Sequence, residues 1–444
     1  MKRSFSGLKA FLRNVSPVRF VTLGYLTYAV AGWLVLCLPF AHARATVPCL
    51  DNLFTSVSAL STTGLTTTSV ANGYSLFGQI VILLLIQVGG IGYMTFGSFV
   101  ILSRTGSIPE RRRDVARTVF SIPADMHIDH LVRSVIVFTV IIEALGAVAL
   151  YFAFLNAGVH APVWTSVFHS VSAFCTAGFS LYDISFEGYR TDFWINTVLA
   201  ILSYLGAIGF IVCLDVWRRV TTRANRITLT SKIILLSTFW LTVVGVLLFF
   251  VCEPTIRGLD AEHRLLAALF QVMAALTTVG FNTIPISQLS QASLFLLILL
   301  MVIGASPSGT GGGLKTTTFT AILGVMRSAM KGIDRVYFWG KEIPPPRVWL
   351  AMASLGFYSA TLIGGCYLLS LTDTFNFESL LFEAASALGT VGLSTGITSQ
   401  LTHLGKVIII ALMFVGRVGP LAFGLSLFCG RGEPVMRGQE DLAV

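Results

Sequence analysis

The chain repeats one spacing four times, a phenylalanine followed ten positions later by a glycine, and this repeat limits its possible folds more than any other feature. Each copy also has alanine five positions before the glycine, threonine two before it and a small polar residue two after it. Four matching copies indicate an internal repeat, in which the chain is built from four related units. The copies run from Phe54 to Gly64, Phe168 to Gly178, Phe270 to Gly280 and Phe382 to Gly392.

Long apolar stretches flank every copy. The chain is 55% hydrophobic and 11% charged, with a mean hydropathy of +0.80, whereas soluble domains carry about 25% charged residues. Most of the stretches exceed the roughly 18 apolar residues that mark a membrane-spanning helix. The sequence therefore predicts an all-α membrane protein with eight spans in four pairs, over 20–40, 77–102, 131–155, 193–216, 233–251, 294–326, 349–371 and 407–428.

The motif segments are too short to cross a membrane, so we predict that they enter it and return. Each repeat then starts and ends on one side, and the positive-inside rule makes the linkers between repeats basic and cytoplasmic. These linkers do collect basic residues, namely Arg104, Arg111, Arg112, Arg113, Arg117, Arg218, Arg219, Arg223, Arg226, Lys232, Arg327, Lys331, Arg335, Lys341 and Arg347. We therefore predict four helix–re-entrant loop–helix repeats around one pseudo-fourfold pore, in the cell membrane, with both termini cytoplasmic.

The predicted repeats occupy 17–103, 131–218, 231–330 and 347–430, and 1–16 and 431–444 are predicted cytoplasmic tails. The apolar run near the N-terminus has no convincing small-residue cleavage site after it. We interpret it as the first span and not as a removed signal peptide.

The net charge of +9 does not indicate a nucleic-acid partner. The basic residues concentrate on the predicted cytoplasmic face, where they suit the topology and anionic membrane lipid. We expect the opposite face to be acidic and to attract cations, although ordinary solvated loops would explain any single residue as well. Its acids are Asp51, Asp183, Glu187, Asp192, Glu253, Asp260, Glu262, Asp373, Glu378 and Glu383.

The cysteines and histidines give no metal signature. Seven scattered cysteines form no CxxC pair, and we interpret all of them as small apolar packing residues. A linker contains Asp125, His127, Asp129 and His130, which resemble metal ligands only superficially. We expect no bound cofactor and no metal other than a transported ion.

The motif segments have the features of a cation site. A short helix that directs its carbonyl end at the membrane centre offers a cation a favourable dipole, and glycine permits the positive φ that a strand of converging carbonyls needs. Four such strands make rings of oxygens that replace the hydration shell of an ion. The alternative is a small-residue packing face between helices, which does not explain the fixed spacing.

At this level of detail the chain resembles the potassium-translocating subunits of the Ktr/Trk/HKT superfamily, most closely the KtrB group, over nearly its whole length. The segments TTGLT, CTAGFS, TTVGFN and GTVGLS resemble the four selectivity filters of that family, and 86–97, 304–319 and 414–424 resemble further family segments. Glycine in all four filters accompanies potassium selectivity in the family, whereas serine in the first marks sodium-favouring plant relatives. The implied filter residues are Thr62, Thr63, Gly64, Leu65, Thr176, Ala177, Gly178, Phe179, Thr278, Val279, Gly280, Phe281, Thr390, Val391, Gly392 and Leu393.

The second helix of the third repeat is predicted to be broken, because its proline and glycines cannot continue a helix. Backbone exposed inside a membrane should line a cavity, so this loop is a candidate gate below the filter, and the resemblance implies the same. The candidate gate comprises Ala305, Ser306, Pro307, Ser308, Gly309, Thr310, Gly311, Gly312 and Gly313, with Lys315 and Arg417. The segment GTGGGLKT fails the P-loop pattern, because Leu314 separates the last glycine from Lys315.

Three charged residues are predicted within the membrane. Arg417 should face a cavity or a partner, either as a cationic barrier near the gate, as in the family, or as a structural residue that caps carbonyls at a helix break. Lys315 is either a gate element or a lipid-facing anchor. Glu143 either carries a proton or co-ion or packs through hydrogen bonds.

The sequence thus predicts a potassium uptake protein that is not an enzyme, since no intramembrane nucleophile–base pair is present. A sodium or sodium-coupled transporter of the same fold is the alternative, and sodium remains a possible co-ion or activator. An alternating-access carrier is disfavoured, because the repeats share one orientation. The resemblance implies a homodimer on a cytoplasmic ring of KtrA-type nucleotide-binding subunits, with the basic linkers 104–117 and 327–347 and the C-terminal tail as candidate docking surfaces.

Overall fold

The computed structural model describes residues 17–43, 46–92, 128–222, 227–307 and 309–428. Several predicted features lie outside these residues: the basic linker 104–117, Arg223 and Arg226, Asp125 and His127, Ser308, and both tails. The side chains of Asp129 and His130 are also outside the description. Within the described residues, no group of three or more metal-ligating side chains is found.

The first repeat begins with the long helix α1 (Pro17–Leu36), whose leucines are largely exposed. A 3-10 turn (Pro39–Ala41) leads to the motif helix α2 (Cys49–Leu60). After the motif glycine, a single helical turn (Val70–Gly73) precedes the second helix α3 (Leu76–Ile91).

The second repeat follows the same order, with the long helix α4 (Ile128–Asn156) and the motif helix α5 (Pro162–Phe174). A 3-10 turn (Glu187–Tyr189) precedes α6 (Phe193–Ile208). The chain then bends by 95° into α7 (Phe210–Thr222).

The third repeat has the long helix α8 (Leu229–Cys252), the motif helix α9 (Ala261–Leu276) and a 3-10 turn (Ile286–Gln288). Its second helix is divided into α10 (Gln291–Val302) and α11 (Thr316–Met330). A two-residue hairpin follows, in which β1 (Tyr337–Phe338) pairs antiparallel with β2 (Lys341–Glu342).

The fourth repeat contains the long helix α12 (Pro345–Thr372), the motif helix α13 (Phe377–Gly389) and a 3-10 turn (Thr398–Gln400). Its second helix α14 (His403–Val418) bends by 96° into α15 (Pro420–Phe428).

A hydroxyl or carboxylate side chain caps each second helix, which fixes where the helix starts. Ser75, Asp192, Ser290 and Thr402 each accept a hydrogen bond from the backbone N–H three residues later. Two of these caps are also tied to the preceding long helix, since buried Glu253 accepts from the backbone N–H of Ser290 and buried Asp373 from that of Thr402. In the third and fourth repeats, hydrogen bonds therefore join the end of the long helix to the start of the second helix.

The motif helices form the interior and the long helices the periphery. The motif phenylalanines and alanines are at most 1% exposed, whereas large apolar side chains on α1, α4, α8 and α12 are exposed. Such an apolar exterior suits lipid, which solvates apolar side chains as well as a protein interior does.

The second helix of each repeat packs on the motif helix of the next, and the order closes on itself. The four contacts are α3 with α5, α6 with α9, α10 with α13, and α14 with α2. A buried ion pair reinforces the last of them, because Lys406 Nζ on α14 lies 2.7 Å from Asp51 Oδ1 on α2. The four motif helices and the four second helices therefore contact one another in a closed cycle.

The helical membrane architecture is confirmed, but two of the predicted spans are not continuous. Within the part of the chain that the structure describes, four helices are long and apolar enough to cross a membrane, and the bent pairs α6–α7 and α14–α15 make six if each is one span; α3 and α10 are shorter apolar helices. Continuity over 193–216 and 407–428 was wrong, because Gly209 and Gly419 adopt φ of 87° and 93° and end the helices. The count of eight spans stays a prediction.

The predicted acidic surface is wrong for several of its members. Asp51, Glu253, Asp373 and Glu383 are at most 8% exposed and accept hydrogen bonds. The prediction that every cysteine is a packing residue is wrong for Cys49 and Cys252, which are exposed; Cys429 lies outside the described residues. In both cases composition could not tell which face of a helix end is covered.

Candidate functional site

The four motif glycines lie around a common centre. Each has a positive φ, between 67° and 96°, and a Cβ added to any of them would lie 2.0–2.4 Å from the carbonyl oxygen of the residue before the next glycine. The pairs are Gly64 with Ala177, Gly178 with Val279, Gly280 with Val391, and Gly392 with Thr63. Only glycine fits this approach, since any side chain would meet a backbone oxygen.

All four loops have the same backbone conformation. The threonine two positions before each glycine is left-handed, with φ between 50° and 58° at Thr62, Thr176, Thr278 and Thr390. The N–H directly before each glycine donates to the carbonyl at the start of the last helical turn, as from Thr63 to Ser58 at 2.9 Å. The sequence predicted the positive φ of the glycines but not that of the threonines, where a β-branched residue rarely adopts it.

The structure brings the sixteen predicted filter residues together in these four loops. The side chains after the glycines point away from the centre, since Leu65, Phe179, Phe281 and Leu393 are at most 1% exposed and belong to the apolar core. Backbone groups and the threonine side chains are thus left around the axis.

A cavity of about 320 Å³ opens next to the four glycines. Among the described residues that line it, only Asp183 and Glu187 are charged, and both are acidic. Asp183 accepts from Asn72 Nδ2 at 2.9 Å, and Glu187 accepts from Asn282 Nδ2 at 2.7 Å. Partial burial raises the pKa of the Glu187 carboxyl. The charge of the described lining is therefore negative, which would attract a cation.

The loop between α10 and α11 lies on the other side of the threonines. It is anchored to the end of α6, because Ser306 N–H donates to Ala207 O at 3.0 Å and Thr310 N–H donates to Gly206 O at 3.0 Å. The Thr310 hydroxyl also lies 3.0 Å from the hydroxyl of Thr176. The loop therefore joins the broken helix of the second repeat to its motif loop.

Successive residues of the loop lie against successive motif threonines. A Cβ added to Gly311 would lie 2.2 Å from Thr278 Oγ1, and one added to Gly312 would lie 2.1 Å from Thr390 Oγ1. With Thr310 beside Thr176, the loop runs directly across the threonine ring. The glycines are needed here because of this close approach, and the predicted break in the helix is confirmed.

Arg417 connects the loop to two other elements. Its guanidinium donates to Thr62 Oγ1 at 2.8 Å, to the Thr310 carbonyl, and to the Gly89 and Gly90 carbonyls at the end of α3. The arginine therefore has the contacts of a residue that caps carbonyls at a helix end, and its role as a cationic barrier near the gate stays a prediction.

The other two predicted intramembrane charges also have defined partners. Lys315 Nζ donates to Gly311 O at 2.7 Å, which favours a gate element over a lipid-facing anchor. Glu143 is 8% exposed and accepts from Gln87 Nε2 at 3.0 Å. This contact suits a packing role, and transport of a proton or co-ion by Glu143 stays a prediction.

Sequence reasoning missed the residue that follows each motif phenylalanine. Thr55, His169, Gln271 and Glu383 are all polar and all 0% exposed. Glu383 was assigned to an acidic surface, yet it lies behind the fourth motif loop and bonds to it. The signal was available, since polarity recurs at this position in all four copies.

The sequence of this chain is similar to those of known cation transport proteins. The family model described as TrkH, cation transport protein, matches residues 16–427. The Ktr system potassium uptake protein B of Vibrio alginolyticus is 32% identical over 94% of this chain and 92% of its own. The potassium/sodium uptake protein NtpJ of Enterococcus hirae is 34% identical over 98% of each chain.

The fold is also similar to a solved structure. The crystal structure of the potassium transporter TrkH from Vibrio parahaemolyticus superposes with a TM-score of 0.71, covering 92% of this chain and 83% of that chain. The two chains are 19% identical, so the likeness extends to the architecture alone.

Proposed function

Because the chain belongs to the TrkH family of cation transport proteins, we propose that it takes up potassium across the cell membrane through a channel-like pore. The relatives are named for ion uptake, and this protein is a transporter and not an enzyme. The ring of four motif glycines carries the proposal. Each glycine faces the carbonyl before the next, and stacked carbonyl rings are what replaces the hydration shell of a potassium ion.

The proposed ion path has three parts. Ions collect in the cavity beside Asp183 and Glu187, lose water between the filter residues of the four loops, and meet the gate formed by 305–313 with Lys315 and Arg417. The four repeats would then be the predicted units 17–103, 131–218, 231–330 and 347–430, with eight spans and both termini cytoplasmic. Contact of the loop with the motif threonines supports a closed gate in this conformation.

Opening of the gate would depend on a partner. Two relatives are named protein B of a Ktr system, which supports a multi-component assembly. We propose a homodimer on a KtrA-type cytoplasmic nucleotide-binding ring. Linker 327–347 offers a structured surface, where Arg335 and Glu342 pair at 3.1 Å and Lys232 lies over the Trp339 ring at 4.4 Å.

Sodium transport is the second candidate, and the NtpJ relative, named for potassium and sodium uptake, favours it. A potassium-uptake-deficient bacterium expressing this chain separates the two. Rubidium uptake that potassium inhibits far more strongly than sodium supports the first, with or without a requirement for sodium as activator. Equal inhibition by both ions supports the second.

Two comparisons make this experiment decisive. Adding a KtrA-type partner should raise uptake if the gate is regulated as proposed. Cells expressing no transporter provide the baseline, and an absence of uptake above this baseline, with the protein in the membrane, contradicts potassium transport.

A further inference from the structure

The position after each motif phenylalanine carries a buried polar side chain, Thr55, His169, Gln271 or Glu383. All four are 0% exposed on the motif helices α2, α5, α9 and α13. A buried polar group costs free energy unless it forms hydrogen bonds. Each of these four side chains is therefore expected to have hydrogen-bond partners, and their surroundings differ between the repeats.

In the fourth repeat, Glu383 binds the segment that follows the motif glycine. Its Oε1 accepts from Ser394 Oγ at 2.5 Å and from the Thr395 N–H at 3.0 Å, and its Oε2 accepts from Thr398 Oγ1 at 2.8 Å. Ser394 and Thr395 lie two and three residues after Gly392. One carboxylate thus ties the motif helix to the chain on the other side of the glycine.

In the second repeat, His169 makes the same connection with different chemistry. Its Nδ1 lies 2.8 Å from the Thr165 carbonyl. Because a carbonyl can only accept, Nδ1 carries the proton and Nε2 is free to accept. Nε2 lies 3.1 Å from Ser180 Oγ and accepts from the Leu181 N–H at 3.2 Å. Ser180 and Leu181 again lie two and three residues after the motif glycine, Gly178.

The residue after the phenylalanine does not make this connection in the first and third repeats, although in the first repeat Ser58 Oγ on α2 donates to Leu65 O at 2.7 Å. Among the described residues, the Gln271 amide has no hydrogen-bond partner, and the Thr55 hydroxyl has none in the chain that follows Gly64. In the third repeat the chain after Gly280 is held by the second repeat, because Asn282 Nδ2 donates to Glu187 Oε1 at 2.7 Å. The second and fourth repeats, in which His169 and Glu383 make this connection, are opposite each other in the cyclic order of packing.

We propose that Glu383 and His169 are positioning residues that anchor the filter strands of the fourth and second repeats and thereby set the preference for potassium over sodium. Discrimination in a carbonyl filter depends on the size and field strength of its oxygen cage. Two anchored strands on opposite sides of the axis hold that cage at a fixed width. The inference rests on the proposed filter.

The main variant is Glu383→Met, which keeps the length of the side chain and removes every acceptor. We expect a loss of about tenfold in the preference for potassium over sodium, measured by competition against rubidium uptake in proteoliposomes. Glu383→Gln retains one acceptor oxygen and should lose less. Maximal rubidium uptake should change much less than the ratio, which a merely structural role would not produce.

Gln271→Met is the matched control, because it makes a similar change at the equivalent position where no hydrogen bond to a protein atom is lost. It should leave the ratio within about twofold of wild type. An equal loss of selectivity in Gln271→Met and Glu383→Met would overturn the inference, as would a wild-type ratio in Glu383→Met.

A folding defect does not remove the test. If size-exclusion chromatography shows that Glu383→Met is not recovered as folded protein, Ser394→Ala and Ser180→Ala remove the partner hydroxyls instead. Selectivity lost in both supports the inference, and selectivity kept in both overturns it. Failure of the wild-type protein to transport potassium at all would instead reject the proposed function.

Discussion

The four motif loops are alike in conformation, whereas the four second helices that follow them are not. The loops adopt one conformation, with left-handed threonines at φ of 50–58° and glycines at positive φ. Three second helices, α3, α6 and α14, end at glycines with φ of 87–93°, whereas the third repeat replaces that glycine with a loop of about a dozen residues between α10 and α11.

Geometry explains the difference. Each loop contacts the next in a closed cycle, so a changed loop would disturb a contact that recurs four times. Only one segment can cross the centre below the ring, and the loop of the third repeat occupies that place beside Thr176, Thr278 and Thr390. The motif loops must therefore be alike, because each contacts the next. The second helices must differ, because only one of them can send a segment across the axis.

A substitution that makes one motif loop differ from the other three should have the largest effect. Gly64→Ser adds a Cβ 2.4 Å from the Ala177 carbonyl oxygen at φ of +92°, so the ring must distort. We expect the preference for potassium over sodium to fall by about tenfold or more, measured by ion competition against rubidium uptake. Gly188→Ala is the control, because that glycine has open space around it. Unchanged selectivity in Gly64→Ser would show that this loop is not part of the filter.

Breaking the crossing segment should have the next largest effect. Arg417→Gln removes the cation that holds the Thr310 carbonyl and Thr62, and deletion of 309–312 removes the part of the loop below the ring. Both should raise maximal flux by about fivefold and weaken dependence on the partner, because the deletion removes the segment that crosses the proposed ion path and the substitution removes a cation that repels potassium in a low dielectric. Proteoliposome flux without the partner measures this.

The gate variants should keep most of the potassium preference, since the four glycines are untouched. Arg133→Gln, on an exposed part of α4, is the matched loss of charge and should leave flux unchanged. Flux that stays at the wild-type level, or is abolished, in both gate variants of well-folded protein would leave Arg417 as a structural cap for α3.

The acidic cavity should give the smallest effect. Burial raises the pKa of Glu187, so this carboxyl is protonated, and its charge lost, at a higher pH than an ordinary surface glutamate as the medium is acidified. The KM for potassium should rise by about twofold on acidification, and Glu187→Gln should start from the raised KM and remove this part of the pH dependence.

Glu378→Gln is the control for this measurement, because Glu378 does not line the cavity. A wild-type pH profile in Glu187→Gln would mean that the charge of Glu187 does not act on the ion.

Local features of the fold could be predicted from the sequence because they depend on neighbouring residues. Thr-x-Gly after a short helix predicted the positive φ of Gly64 and its equivalents, and the glycines and proline of 305–313 predicted the break between α10 and α11. The breaks at Gly209 and Gly419 were missed, because a single glycine in an apolar run is also compatible with a continuous helix.

The sequence by itself determined the fourfold repeat, the apolar exterior and the glycine at each loop, because these are properties of spacing and composition. Only the tertiary structure decided which polar groups meet. Arg417 contacts Thr62 and Thr310, and Lys406 contacts Asp51, across hundreds of residues of chain. The sequence predicted Glu383 as a surface acid, but in the structure it is buried behind the fourth motif loop. Burial and hydrogen bonding of a side chain depend on which parts of the chain pack around it.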